Sequence, residues 1–248
     1  MLNNLYLALM YKIIAILFLF SLFSCSQSEQ EIVKSGRNAL DKGNLPQAKE
    51  ILSKGIEAFP QSANLYNLRG VVYFKLKEYK AAEKDFTESL KNDSTSYKPY
   101  YNRGKVKSET NRDKEAIEDY DRALSLKKDE ADIYNNRGFS YYNLGNLEKA
   151  EADFSSALSL RHSAVSYCNR GKVYLAANEA EKAVSDFKQC LLLDKDYPNA
   201  HYLFALSLFG TGAKDEGCEE LKKAADAGNE KAKSEQKIRC NTPILPSL

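Results

Sequence analysis

This chain of 248 residues has no tryptophan, two histidines and two methionines. The histidines, His162 and His201, lie 39 positions apart. So little histidine leaves poor material for an imidazole-based metal centre or a proton relay. No HExxH, paired CxxC or glycine-rich phosphate loop after a strand is present, which removes the motifs that would point to zinc or nucleotide chemistry. Charge of one sign is missing too: 36 basic against 34 acidic residues give a net charge of +2. Such balance gives no basic face for nucleic acid and no strong attraction to an anionic membrane surface. The expectation is a non-enzymatic chain without cofactor or metal.

What is present is a period. Gly36, Gly70, Gly104 and Gly138 stand 34 residues apart, and Gly171 follows after 33. Twelve positions beyond each glycine comes an alanine: Ala48, Ala82, Ala116, Ala150, Ala183. Sixteen beyond comes a large apolar residue, Leu52, Phe86, Tyr120, Phe154 or Phe187, and nineteen beyond a small one, Gly55, Ser89, Ala123, Ala157 or Cys190. A sixth, altered copy runs through Ala205, Gly217, Leu221 and Ala224. In the clearest copy, Tyr134–Leu158, two segments of helical period are split by Leu144-Gly145-Asn146, where glycine permits a left-handed turn. Small residues let helix axes approach, and the large ones fill the seam. Neither helix buries its apolar face alone, so the units must stack.

This grid resembles the tetratricopeptide repeat (TPR), a helix-turn-helix unit of 34 residues, over about Glu29 to Ala227. The resemblance implies an all-α, right-handed superhelical solenoid whose first helices line a concave surface. We expect six units over residues 30–227, a capping helix over 228–240 and a loose tail over 241–248. Repeat two then spans 63–96, three 97–130, four 131–162, five 163–197 and six 198–227. A terminal unit needs a polar outer face, and Gly228–Cys240 has few apolar residues, with Ala232 and Ile238 as its expected contacts.

Residues 1–25 differ in kind. Behind Lys12 runs Ile13–Phe23, then Ser24-Cys25. An apolar core of this length is short for a bilayer span and fits a secretory leader. Leu22-Phe23-Ser24-Cys25 resembles the lipobox of bacterial lipoproteins, in which the cysteine is lipidated; Phe23 is the loose fit. An ordinary signal peptide or an uncleaved anchor are the alternatives, and Met10 could be the start. Residues 26–29 form a polar tether. The expected location is the bacterial cell envelope, outside the cytoplasm, with the chain held to a membrane by lipid (palmitate or a related acyl chain) on Cys25.

In an exported chain the other four cysteines can bridge. Cys218 and Cys240 flank the turn near Gly228-Asn229 at similar heights, so they pair if their sulfurs face each other. Cys168 and Cys190 match in height as well. Cys190 takes the small buried position, and Cys168 is expected to face the groove, leaving both unpaired.

Arg69, Arg103, Arg137 and Arg170 each precede a repeat glycine, and Asp85, Asp119, Asp153 and Asp186 each follow it by fifteen. Repeats one and six lack both arginine and aspartate, so the two residue types occur together and are expected to meet across helices. The spacing leaves open whether the partner lies in the same or the adjacent repeat. An arginine fork matched by a carboxylate is neutralised, which favours a structural ladder over a site for anions.

The candidate binding residues are those turned from the packed stripe: Asn67, Phe74, Lys98, Tyr101, Lys105, Asn135, Phe139, Tyr142, Lys172 and Tyr202. Asparagines hydrogen-bond a peptide backbone, lysines attract carboxylates and aromatics supply contact area. The lysine–asparagine clamp by which some TPR cochaperones hold a terminal carboxylate is not reproduced. The expected function is a membrane-anchored scaffold that holds a protein or peptide in its groove. The alternatives are an envelope assembly factor of the pilus or outer-membrane protein type, or a non-catalytic accessory subunit of an envelope enzyme.

Overall fold

The computed structural model describes residues 27–197 and 199–240. The leader, Cys25, Pro198 and the 241–248 tail lie outside the described residues. Thirteen helices and no strand occur among the described residues. They pair as α1 (Glu29–Asp41) with α2 (Leu45–Ala58), α3 (Ala63–Lys75) with α4 (Tyr79–Asn92), and α5 (Tyr97–Glu109) with α6 (Asp113–Leu126). The series continues as α7 (Ala131–Asn143) with α8 (Leu147–Leu160), α9 (Ala164–Ala176) with α10 (Ala180–Leu193), and α11 (Ala200–Gly210) with α12 (Lys214–Asp226). A last helix, α13 (Glu230–Arg239), closes the array.

Local chemistry sets the boundaries. Helix α1 starts at Glu29 because Ser28 and Glu31 form a reciprocal capping box, with the Ser28 amide donating to Glu31 Oε2 over 2.8 Å. Within every pair the chain reverses through one left-handed residue: Gly43, Lys77, Asn111, Gly145, Asn178 or Gly212. Glycine and asparagine tolerate that conformation, and Lys77 is the exception among the six.

The seam between paired helices explains the glycine column. A Cβ on Gly104 would lie 2.7 Å from Tyr120 Cε1, and one on Gly70 would lie 2.6 Å from Phe86 Cε1. The glycine therefore makes room for the large residue sixteen positions on. Repeat six inverts the arrangement: Ala205 takes the glycine place, and Gly217 makes room for Phe209, whose ring would lie 2.8 Å from an added Cβ. Both Ala205 and Leu221 are sealed from solvent.

Helix α13 caps this last unit through Ala232, which is buried against Ala205, Leu221, Ala224 and Ala225. Ile238, the other expected contact, is 67% exposed. Cys240 packs on that cluster and is bridged to Cys218, with Cα atoms 5.7 Å apart.

A second bridge corrects an expectation. Cys168 is fully buried rather than facing the groove, and it is joined to Cys190 with Cα atoms 5.4 Å apart. Its column, three residues before the repeat glycine, borders both the groove and the helix seam. A long side chain such as Tyr101 reaches the groove from there. A cysteine sulfur, one bond beyond Cβ, stays in the seam beside the small-residue position of the second helix.

The arginine–aspartate pairs lie within each repeat. Arg69 Nε and Nη2 bond Asp85 over 2.7 and 2.9 Å, and the same fork recurs in Arg103–Asp119, Arg137–Asp153 and Arg170–Asp186. The remaining Nη1 reaches the second helix of the preceding repeat, at Ser53, Thr87, Asp121 and Ser155 in turn. One guanidinium thus ties three helices. Tyrosines flank it three residues before and four after, as Tyr66 and Tyr73 do at 5.7 Å from Arg69. Repeat three replaces the later tyrosine with Lys107, whose ammonium lies 2.8 Å from Asp119. In repeat six, Glu220 accepts from Lys223 over 2.6 Å and lies 2.5 Å from His201 Nδ1 instead. No helix among the described residues is long and apolar enough to cross a membrane.

Candidate functional site: the concave groove

Each first helix touches the first helix of the next repeat, while the second helices are spread apart. The inner face is therefore built by α1, α3, α5, α7, α9 and α11. Along it the candidate residues do not form one even strip.

The dense part lies on α3 and α5. Asn102 Nδ2 donates to Asn67 Oδ1 over 3.1 Å, and Asn136 Nδ2 donates to Tyr101 Oη over 3.2 Å. The Lys105 ammonium lies 4.9 Å from the Phe74 ring centroid and 5.5 Å from that of Tyr101. Burial pushes the Lys105 pKa down and lifts the Tyr101 phenol to about 12. Both effects report partial removal from water. Lys98 is exposed at the edge of the same region.

A cavity of about 330 Å³ opens between α1, α3, α5 and α7, walled by Arg37, Asn67, Val71, Lys98 and Tyr101 among others. A smaller one of about 110 Å³ follows, lined by Val71, Phe74, Lys75, Phe86, Asn102 and Lys105. Beyond it lies a space of about 880 Å³ that includes Lys105, Asn136, Phe139 and Asn143. At its floor Tyr120 carries a buried hydroxyl without a protein partner. The three spaces share residues in sequence, so they form one run along the groove.

Other candidates stand apart. Asn135 is buried and donates to Ser166 Oγ over 2.8 Å, which makes it a tie between repeats four and five. Tyr142 packs on the Ala150–Phe154–Val173 cluster. Lys172 donates to Asn169 Oδ1 over 3.2 Å, and burial lowers its pKa. Tyr202 lies at the far end, on the cluster under the capping helix. Phe139 is 42% exposed and, among the described residues, is the one large aromatic presented openly.

Asn102, Asn136, Val71 and Arg37 were not among the expected residues. A signal for two of them exists: Asn102, Asn136 and Asn169 share the column two residues before the repeat glycine. The short distance of that column from the packed stripe hides its exposure.

Lysines outside the groove are mixed: Lys49, Lys91 and Lys223 are each paired with a glutamate, while Lys80, Lys114 and Lys188 form no ion pair among the described residues. Among the described residues, no carboxylate lies within 4.0 Å of Lys75, Lys98, Lys105 or Lys172. Of the groove carboxylates near Lys105, Asp132 is paired with Arg161 and Glu109 is in no ion pair among the described residues. The arginine ladder, by contrast, is fully matched.

The two histidines have separate surroundings. His162 stacks on Tyr167, with ring centroids 5.9 Å apart, in the turn between repeats. His201 serves the Glu220 contact in repeat six. No cluster of three or more metal-ligating side chains occurs among the described residues.

Sequence models of the tetratricopeptide repeat match residues 63–96 and 129–196, and a further TPR repeat model matches 108–145. No curated protein sequence matches the chain. Among solved structures, the chain resembles Pseudomonas aeruginosa PilF at 19% identity and a TM-score of 0.77, over 85% of this chain and 96% of that one. PilW, a type IV pilus biogenesis factor, is similar at 16% identity and a TM-score of 0.75, over 85% and 99% of the two chains. YrrB, a TPR protein described as having an unusual peptide-binding site, matches at 21% identity and 0.58, over 73% and 90%. At such identities the likeness is one of fold.

Proposed function

From a chain that carries tetratricopeptide repeats folded as a TPR solenoid, we propose a lipid-anchored, extracytoplasmic scaffold that holds an extended segment of a partner protein in its concave groove. The observation that carries the groove reading is the contrast in pairing. The arginines are matched within the fold, whereas Lys75, Lys98, Lys105 and Lys172 have no carboxylate partner among the described residues, and Lys105 and Lys172 stand beside half-buried rings and an amide. Unpaired donors on a concave face are available to a ligand.

The location rests on cysteine. Disulfides persist in oxidising compartments, and the two bridges use four of the five cysteines. The fifth, Cys25, is the one placed for lipid by the apolar run before it. An odd cysteine in an exported protein needs a separate fate, and acylation supplies one. Several acyl chains on one residue anchor stably where a single chain does not.

A second reading, an envelope assembly factor of the pilus type, draws on the near-complete mutual coverage with PilF and PilW. It differs from the first in the partner, not in the groove. A catalytic role has no support in the histidine placement described above.

Metabolic labelling with a palmitate analogue, comparing wild type with Cys25→Ala, tests the anchor. Label is expected in the wild type alone. Crosslinking and mass spectrometry on the membrane fraction then identify partners, and these should be lost when Tyr101 and Phe139 become alanine. Label in neither protein sinks the anchor; partners unaffected by the groove substitutions sink the groove.

A further inference from the structure

Most of the groove is open, but one part of it is shaped. The space of about 110 Å³ between α3 and α5 has Phe86, fully buried, together with Val71 and Phe74 as its apolar lining. Its polar lining is Asn102, Lys75 and Lys105. That volume is on the order of one aliphatic side chain, and apolar lining favours such an occupant.

The rim is cationic. Lys75, Lys98 and Lys105 have no carboxylate within 4.0 Å, and neither is Arg37 on the adjoining wall ion-paired. Against these four stand Asp41, Glu109 and Asp113, the groove-lining carboxylates outside any ion pair among the described residues, and Asp113 already accepts from Ser108 and Asn143. Lys105 is held by two rings rather than by an anion. A cation over an aromatic face is only weakly satisfied, so a carboxylate brought to it gains a charge-assisted bond in a site already shielded from water.

The position along the groove matters as well. The notch is flanked on one side by the cavity of about 330 Å³ and on the other by that of about 880 Å³. A bound strand has room to continue both ways, so the carboxylate arrives on a side chain and not as a chain end. Asn67, Asn102 and Asn136 lie along that path and offer amides to its backbone.

We propose that the notch between α3 and α5 is the specificity pocket of this protein, and that it selects an internal aliphatic residue next to an aspartate or glutamate in an extended partner segment. This rests on the groove reading given above and names the chemistry it accepts.

The test uses the mature chain with both disulfides formed and a phage-displayed library of random dodecapeptides fused at their C-terminal ends, so that no free carboxylate is offered. The expected outcome is enrichment of Leu, Ile, Val or Met adjacent to Asp or Glu. The selected sequences, made as capped fluorescent peptides, should lose at least tenfold in affinity for Lys105→Glu and for Val71→Phe, which fills the notch. Unchanged thermal melts establish that both variants fold; a variant that does not fold is replaced by Lys105→Gln or Val71→Met. Peptides with lysine in place of the acidic residue should bind Lys105→Glu better than wild type. Groove-dependent peptides of another composition, lost in Asn102→Ala but not in Lys105→Glu, overturn the pocket and keep the groove. Uncapped peptides that bind tightly only with the carboxylate at their end overturn the internal mode. No enrichment above a bead control overturns both the pocket and the groove reading.

Discussion

Asp119, Asp153 and Asp186 occupy equivalent places in successive repeats, yet removing them should have unequal effects. Each is almost fully buried under an arginine fork, with side-chain exposures of 5%, 6% and 5%. Stripping the carboxylate from a buried pair leaves an uncompensated charge, which costs about 3–5 kcal/mol. The arginines are about one-fifth exposed, at 19%, 20% and 21%, so water recovers part of that and the base figure is about 3 kcal/mol. The neighbours then decide the order. In Asp119→Ala two cations, Arg103 and Lys107, lose the same partner, which raises the cost to about 4–5 kcal/mol. In Asp186→Ala the stranded Arg170 keeps a neutral hydroxyl, Ser155, at 3.0 Å, and about 3 kcal/mol is expected. In Asp153→Ala, Arg137 still has the Asp121 carboxylate at 2.6 Å. Asp121 is half exposed, so that substitute is screened, and about 1–2 kcal/mol is expected. Urea unfolding followed by far-ultraviolet circular dichroism, fitted with a nearest-neighbour repeat scheme, reads the three values. Equal losses at the three sites, or a larger loss for Asp153→Ala than for Asp119→Ala, would refute the idea that local charge balance sets these energies.

Gly104→Ala should destabilise by about 1–2 kcal/mol, since overpacking a sealed ring costs about 1–3 kcal/mol and the helix gains up to about 1 from alanine. Gly138→Ala, whose added carbon would meet its nearest neighbours at 3.1 Å rather than 2.7 Å, should be near neutral, and thermal melts of the pair check the difference. Reducing the two bridges, each closing a span of 22 residues, should remove about 3 kcal/mol apiece by loop-closure entropy. A melt in reductant should fall accordingly, and non-reducing peptide maps should link Cys168 to Cys190 and Cys218 to Cys240. An unchanged melt for Cys168→Ser with Cys190→Ser contradicts the stabilising role of that bridge.

Much of this protein is legible without coordinates, because a repeat repeats its errors as well as its rules. The column Gly70, Gly104, Gly138, Gly171 and its offsets state which residues are packed, since one helix pair has only one way to bury a small-large-small stripe. The co-occurrence of arginine and aspartate likewise states that they meet. Sequence spacing does not state which second helix supplies the partner, because helices before and after the arginine are at comparable distance along the chain: Asp85 lies sixteen residues after Arg69 and Ser53 sixteen before. The packed geometry uses both.

Side-chain length decided what periodicity left open. Cys168 and Tyr101 share a column, but the short thiol stays in the seam and bridges to Cys190 while the phenol reaches the groove. Asn67 and Asn135 also share it, and the first faces the groove while the second is spent on Ser166. The sequence by itself determined the all-α repeat, because local periodicity and small-residue placement are sufficient to specify helix pairs. Only the tertiary structure decided which groove lysines lack a carboxylate, which cysteines bridge and where the groove narrows to a notch. Those depend on distances between side chains from different helices, and no single helix pattern contains them.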